Sequence, residues 1–409
     1  MATRVTGLSA RAAFDVPAEW VAEKSPTPEV EALAYLPGPE GTFAPNAVLT
    51  LNDYEGGISE FLVEALEGLR RDLDQVTIIA IDRWVPTSRE GTGVAGEGRT
   101  ISYTHRSPRT GMRLRGAEWL LAGDGLAVQL TTTAGVGQWP VFGAVFEEIA
   151  ASLRLLDGDQ LPGSNPIPET AVDTVASEIA GEPLERIHGL TELQPYPHEG
   201  GQWIRGDAVK LVADMAEGLE VGSLMEAGLA PQLAELRELG LMEGTTLTDD
   251  GDVLAAFFES PNATLRLTRA RGDDLGVMQI WVMGGAALVS THGDPDAGAP
   301  SRDHANIVVA PVGDVTTLVA RWVGLQPAWS FPLEAEDFEP DWTTWDILAS
   351  GPESQVGPVG YLNAGQRGHY LLVPAEESFT YQEKRSDRVF DMLEEILQAT
   401  IYGRPARLA

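Results

Sequence analysis

"NAVLTLNDYEGGISEFLVEALEGLRRDLDQVTIIAIDRWVP", residues 46–86, changes its period twice. "NAVLTLNDY" alternates apolar and polar residues, the period of a strand with one buried face. "ISEFLVEALEGLRRDL" then places Ile58, Phe61, Leu62, Ala65, Leu66 and Leu69 three and four residues apart, the stripe of a helix lying on a sheet. "VTIIAIDRWVP" returns to a strand. Upstream, "AFDVPAEWVAE" and "VEALAYLPG" read as two further strands. Downstream, "GEGRTISYTHR", "MRLRGAEWLLA" and "GLAVQLTTTAG" read as a meander, and "VFGAVFEEIAASLRLL" as a helix with a strand-like tail. Few helices among many strands joined by short turns predict an antiparallel α+β sandwich, not alternating βαβ units.

In order, "FDVPAEWVAE", "FAPNAVLTL", the amphipathic helix, the meander and "EIAASLRLL" resemble the PsbP-like α/β/α fold, especially LpqN-type and DcrB-type proteins. The resemblance spans about residues 8–157 and implies a binding or assembly role without catalysis. One departure is clear: LpqN-type proteins are typically exported lipoproteins, whereas "MATRVTGLSARAAFDVPAEW" has neither an apolar signal core nor a lipid-bearing cysteine. A cytoplasmic protein is the expectation.

A chain of 409 residues exceeds what one core usually supports, so two domains are expected. "DGDQLPGSNPIPETAVDT" is rich in Pro, Gly, Ser and acidic residues and carries no apolar period, so residues 158–174 read as a linker. The boundaries follow as 1–157 and 175–409. The second part opens with helical spacing in "AVKLVADMAEGL" and "GSLMEAGLAPQLAELRELGLM", and Thr248 is placed to cap the helix "DDGDVLAAFFES". "ATLRLTRARG" and "LGVMQIWVMGGAALVSTHG" read as a two-stranded hairpin turned at "GDDLG". Helix, helix, capped helix and hairpin is the winged-helix order, within an α+β domain with an antiparallel sheet. "ANIVVAPV" and "QRGHYLLVP" add strands. "GDVTTLVARWVGLQ" adds a helix with Val315, Leu318, Val319, Trp322 and Val323 inward, and "SDRVFDMLEEILQATIY" adds another.

The run "LTDDGDVLAAFFESPNATLRLTR", "LGVMQIWVMGGAALVSTHG", "IVVAPVGDVTTLVARWVGLQPAW" resembles the core of EspG-type proteins, cytosolic chaperones of type VII secretion, over about residues 245–330. The resemblance implies a protein partner, such as small helical secreted proteins or components of a secretion system. It carries over no binding residues.

Charge narrows the choice. Residues 1–158 hold 13 Lys+Arg against 21 Asp+Glu, a net of -8; of the whole chain's 28 and 61, that leaves 28-13=15 against 61-21=40, a net of -25 in residues 159–409. DNA binding draws on a basic face that releases counterions, and the helix 249–260 carries only Asp249, Asp250, Asp252 and Glu259. Arg266, Arg269 and Arg271 on the expected wing are countered by Asp273 and Asp274. The winged-helix shape therefore reads as structural or protein-facing, and a DNA-binding regulator as disfavoured. With no cysteine there is neither a disulfide framework nor a thiolate metal site.

No catalytic motif emerges. The glycine pairs in "GDGLA", "GVGQW" and "GTGVAGEG" lack the helix and the Lys-Ser/Thr of a phosphate loop, and no nucleophile elbow occurs. "THGDPDAGAPSRDH" gathers His292, Asp294, Asp296, Asp303 and His304, which would carry a metal-dependent hydrolase as the alternative function; a solvated acidic loop is the simpler reading. The pairs Glu147-Glu148, Glu376-Glu377 and Glu394-Glu395 point about 100° apart on a helix and read as solvated faces. No cofactor is expected. "QPAWSFPLEAEDFEPDWTTWD" sets Trp329, Phe331, Phe338, Trp342 and Trp345 amid acidic residues, and these five are the expected partner-binding residues of an adaptor or chaperone.

Overall fold

The computed structural model describes residues 2–24, 27, 29–39, 41–84, 98–123, 125–156, 194, 196–293, 299–328, 332–333, 338–375 and 379–403. The chain is α+β with antiparallel sheets. Its first part consists of strands β1 (Ala2–Thr6), β2 (Ala12–Pro17), β3 (Val21–Glu23), β4 (Val30–Tyr35) and β5 (Asn46–Tyr54), helix α1 (Ile58–Asp72), then β6 (Asp74–Trp84), β7 (Gly98–Arg106), β8 (Arg113–Gly123) and β9 (Gly125–Gly135), helix α2 (Trp139–Ala151) and the short β10 (Arg154–Leu155). Seven strands form an antiparallel sheet in the order β3-β4-β5-β9-β8-β7-β6. The stripe of α1 buries Phe61, Leu62, Leu66 and Leu69 against Ile78, Ile81, Ile101, Tyr103 and Leu120 on one face. Gly116 makes room there: a Cβ on it would lie 2.5 Å from the ring of Tyr103. On the other face, α2 and a small sheet, β1-β2-β10, bury Phe14, Trp20, Phe146 and Ile149 against Ala117, Trp119 and Val128. The α/β/α arrangement expected for residues 1–157 is thus present among its described residues. Strand β1 escapes sequence reading because only Val5 of its five residues is buried, which leaves no alternation to read.

The second part holds β11 (Gln202–Arg205), α3 (Gly206–Ala216), α4 (Ser223–Glu226), α5 (Ala230–Glu238), β12 (Met242–Glu243), β13 (Thr246–Leu247) and α6 (Asp249–Glu259). There follow β14 (Ala263–Arg271), β15 (Asp274–Met283), β16 (Ala286–His292), β17 (His304–Pro311), α7 (Val315–Trp322), β18 (Thr343–Ser350), β19 (Gln355–Asn363), β20 (His369–Pro374), β21 (Phe379–Lys384) and α8 (Ser386–Tyr402). Thr248 does cap α6, its Oγ1 accepting from the Gly251 amide at 3.2 Å. Nine strands pair in the order β11-β17-β16-β15-β14-β18-β19-β20-β21.

Three expectations change here. The stretch "LGVMQIWVMGGAALVSTHG" is two strands, broken where Gly284, at a φ of +59°, turns the chain between Met283 and Ala286. The hairpin β14–β15 is no wing: β14 is bonded on both sides, to β15 and to β18, at the middle of the sheet. Finally β18, β19 and β21 emerge from segments dominated to the eye by acidic, glycine and proline residues; the inward Trp345, Ile347 and Ala349 of β18 supply the alternation. The expected linker, 158–174, and the loop 91–97 lie outside the described residues.

The layers explain how the two sheets meet. Helices α3, α5 and α6 cover one face of the nine-stranded sheet, with Leu211, Leu233, Leu236 and Phe257 against Leu288 and Ile307. Helices α7 and α8 cover the other face, burying Trp322, Phe390 and Ile396 against Leu267, Ile280 and Trp345. Ile79 and Ala80 of β6 belong to that same core, so α7 and α8 are shared between the sheets. Gly351, just past β18, has no room for a side chain: a Cβ would lie 2.0 Å from the Thr400 carbonyl of α8. The outer strand β6 is closed by Gln194, whose side-chain amide accepts from Ile78 N at 3.0 Å and donates to Ile78 O at 2.8 Å, as a neighbouring strand would.

Candidate functional site

The expected partner-binding residues separate. Trp345 is 4% exposed and stacks on Tyr361 with ring centroids 4.2 Å apart, a core contact beneath α8. Trp342 is 7% exposed and belongs to a small cluster with Leu333, Leu362, Ala364 and Tyr370 on the outward face of β19 and β20. Both rings are packed within clusters of the sheet itself. Phe338 is different: it is 43% exposed and packs edge-on to Trp342 at 6.0 Å. Trp329 and Phe331 lie outside the described residues.

Reading missed the neighbour that extends this cluster. Tyr381 of β21 packs on Tyr370 at 6.4 Å, and Phe379, two residues earlier and on the same side of the strand, is 53% exposed. With Leu372 half-buried beside them, these rings make a ledge of apolar surface near the sheet edge. The sign available in sequence is "SFTYQEK", an alternation of aromatic and polar residues too short to stand out.

The Asp/His loop does not assemble a metal site from its described members. His292 Nε2 lies 3.2 Å from Ser290 Oγ, while His304 places Nδ1 2.8 Å from Ser301 Oγ and Nε2 3.8 Å from Glu235 Oε1. Among the described residues no three His, Asp or Glu side chains are grouped to hold an ion; Asp294 and Asp296 lie outside them.

A second candidate lies where the sheets share their helices. On β8, Arg115 alternates with Ala117 and Trp119 toward the shared layer. Its guanidinium lies over the rings of Trp139 and Phe390, 4.6 and 5.0 Å from their centroids, and Nη1 donates to Asp391 at 2.6 Å and to Glu394 at 3.1 Å. Burial disfavours its charge, but the carboxylates of Asp391 and Glu394 outweigh that and hold its pKa above the ordinary arginine value. Burial pushes the Glu394 carboxyl up to about 8 against the pull of Arg115. At the opposite end of the seam, Asp314 accepts from Arg113 Nε at 2.8 Å and from Arg106, while Thr104 and Thr317 hydroxyls meet at 3.3 Å. Arg385, at the start of α8, donates to Asp82 and Asp387, each at 3.0 Å. Burial raises Asp82 to about 6 although Arg385 opposes it.

Between α2, α8 and the strands below them these residues leave a cleft of about 460 Å³. Its floor carries Thr100, Ser102, Arg115 and Trp119; its walls carry Trp139 and Gly143 on one side and Asp391 and Glu394 on the other. The solvated-face reading of Glu394 is therefore corrected: only Glu394 of that pair belongs to the buried stripe, 2% exposed between Leu393 and Leu397. The sign was legible, since a carboxylate four residues after Phe390 falls inside the apolar stripe. What it meets, an arginine far away in the chain, was not.

No protein-family model matches the chain, and no curated protein matches it. Among solved structures it is similar to cyanobacterial PsbP (CyanoP) from Synechocystis sp. PCC 6803, at 11% identity over 38% of this chain and 92% of that one, with a TM-score of 0.27. It is similar also to LpqN, involved in cell envelope biogenesis of Mycobacterium tuberculosis, at 15% identity over 38% and 91%, TM-score 0.27. The Ran-binding protein Mog1p of Saccharomyces cerevisiae is similar at 11% identity over 40% and 99%, TM-score 0.28. Likenesses of this size carry no argument about activity or partners. No helix among the described residues is long and apolar enough to cross a membrane.

Proposed function

We propose that the protein is a non-catalytic, cytoplasmic adaptor or chaperone that binds another protein through the ledge at β20 and β21. The observation that carries this reading is a pair of half-exposed rings: Phe338, edge-on to Trp342 of a packed cluster, and Phe379, on the same side of β21 as Tyr381. Rings held rigidly by neighbours lose little freedom on binding, which is why such residues anchor interfaces. The ledge includes the strand β21, which ends the nine-stranded sheet among the described residues, a position suited to strand addition by an extended partner segment. The EspG-type resemblance of residues 245–330 suggests the partner class: small helical secreted proteins, or components of a type VII secretion system. The absence of cysteine fits a reducing compartment.

The test compares the tagged protein with a Phe338→Ser, Phe379→Ser double variant and with Leu224→Ser, an exposed residue of α4 away from the ledge. Each is used to capture partners from its own cytosol at low salt, with mass spectrometry. Secretion substrates or secretion components enriched by the parent and by the Leu224 variant, and lost from the double variant, support the reading. Equal capture by all three chains removes the ledge, and capture of no protein removes the adaptor.

A further inference from the structure

Strand β21 decides what kind of segment the ledge can take. Its register on β20 sets Phe379 opposite Pro374, Tyr381 opposite Leu372 and Glu383 opposite Tyr370. Alternate residues of a strand share a face, so Phe379, Tyr381 and Glu383 stand in one row on the side of Leu372 and Tyr370, which is the side of the ledge. Phe379 is 53% exposed, Tyr381 is half-buried and Glu383 is exposed. The row therefore runs from apolar to acidic along the outermost described strand of the sheet.

The charge in that row is unspent. Glu383 has neither an ion pair nor a hydrogen bond from its carboxylate among the described residues. Directly opposed pairs of opposite charge, and of aromatic with aliphatic residues, stabilise a sheet. Every pairing within the nine-stranded sheet is antiparallel, so an added strand that continues the pattern meets Glu383 first, then Tyr381, then Phe379.

We infer that the ledge takes an extended segment of a partner protein, added antiparallel to β21, with a lysine or arginine opposite Glu383 and apolar residues two and four positions later, opposite Tyr381 and Phe379. This deepens the adaptor reading and rests on it for the existence of a partner. Main-chain hydrogen bonds supply the affinity of such an addition, and the alternate side chains supply its selectivity. A helix presents residues three and four apart and matches no row with a spacing of two. An acidic segment is repelled by Glu383 and by the acidic second part of the chain as a whole.

The experiment titrates the full chain into an end-blocked, fluorescein-labelled peptide, Lys-Thr-Ile-Thr-Val-Thr, and reads fluorescence anisotropy. Beside it stand Glu-Thr-Ile-Thr-Val-Thr, which reverses the charge, and Lys-Ile-Thr-Val-Thr-Thr, which keeps the composition and shifts the apolar residues to the other face. The first peptide is expected to bind at least about tenfold more tightly than either. Glu383→Lys is expected to reverse the preference between the lysine and glutamate peptides, and Phe379→Ser to weaken the lysine peptide severalfold. Both positions are exposed, so neither substitution threatens the fold. Equal binding of the three peptides, binding of none, or a preference unchanged in Glu383→Lys overturns the proposal. Tighter binding of an amphipathic helical peptide, or a dimer in light scattering that Phe379→Ser abolishes, gives the ledge to a helix or to a second copy and overturns it as well. The adaptor reading fails separately, when capture from the cytosol returns no protein; partners captured through the ledge while no peptide binds remove the extended segment alone.

Discussion

Arg115 and Glu394, 279 residues apart in sequence, meet at 3.1 Å with side chains only 2% and 3% exposed. One stands on the seven-stranded sheet and the other on the helix shared with the nine-stranded sheet. Removing the guanidinium leaves Glu394 buried without its counter-charge, so Arg115→Met is expected to cost about 3–5 kcal/mol of stability. Adding Glu394→Gln should restore part of that loss. Urea unfolding of both variants measures it, and a single substitution costing under about 1 kcal/mol would show that the pair does not hold the seam.

Asp314, directly before the first residue of α7, is a second such point, where it receives both Arg106 and Arg113. Asp314→Ala leaves both guanidiniums without their counter-charge, held, among the described residues, only by neutral acceptors on Gln75 and Gly111. We expect α7 to lose protection against amide hydrogen exchange and stability to fall by about 2–4 kcal/mol. Unchanged protection of residues 315–322 would contradict it.

Glu118 predicts a pH dependence. It is buried in the seven-stranded sheet, and burial raises its pKa to about 8 although a hydrogen bond from Gln129 pulls it down. Below the unfolded value of 4.5 both states hold the proton. Between 4.5 and about 8 the unfolded chain loses it first, so stability contributed by this group falls as pH rises through that window and levels off above it. Glu118→Gln removes this slope and is expected to leave the protein more stable than the parent at pH 8.5, by an amount on the order of 4 kcal/mol. Parallel stability curves for the two proteins from pH 5 to pH 8.5 would refute the assignment.

Thr248 tests the local energetics of α6. Its hydroxyl accepts from the Gly251 amide at 3.2 Å and donates to the Gly240 carbonyl at 2.6 Å. Thr248→Ala is expected to cost about 1 kcal/mol, and Thr248→Ser much less. Thermal melts in which alanine and serine behave alike would show that capping contributes nothing here.

Most helices and most of the first sheet could be read from period alone, because α1 and β5 each face one core and so carry one clean pattern; "AFDVPAEWVAE", which reads as one strand, is split between β2 and β3 of two different sheets. Strands β18 and β19 were harder: Trp345 and Tyr361 stack beneath α8, but charged or glycine-rich neighbours surround each of them in sequence. The site was less legible still. Trp342 and Phe338 look alike in sequence, yet one is buried by Leu362 and Tyr370 and the other stands at the border, a difference set by two strands that come later in the chain. Arg115 and Asp314 carry no local sign of pairing, since each partner comes from the other part of the chain.

The shared helix α8 sets an order on biosynthesis. The sheet bearing Arg115 leaves the ribosome long before Glu394, which follows 279 residues later. At roughly 5–20 residues per second, the interval is on the order of tens of seconds. During it the face that α8 will cover, with the Arg115 charge and the rings of Trp119 and Trp139, stands without its lid. The nascent chain therefore passes through a half-covered sheet, and the time for which that surface is open is governed by translation speed rather than by the intrinsic folding rate of the finished protein.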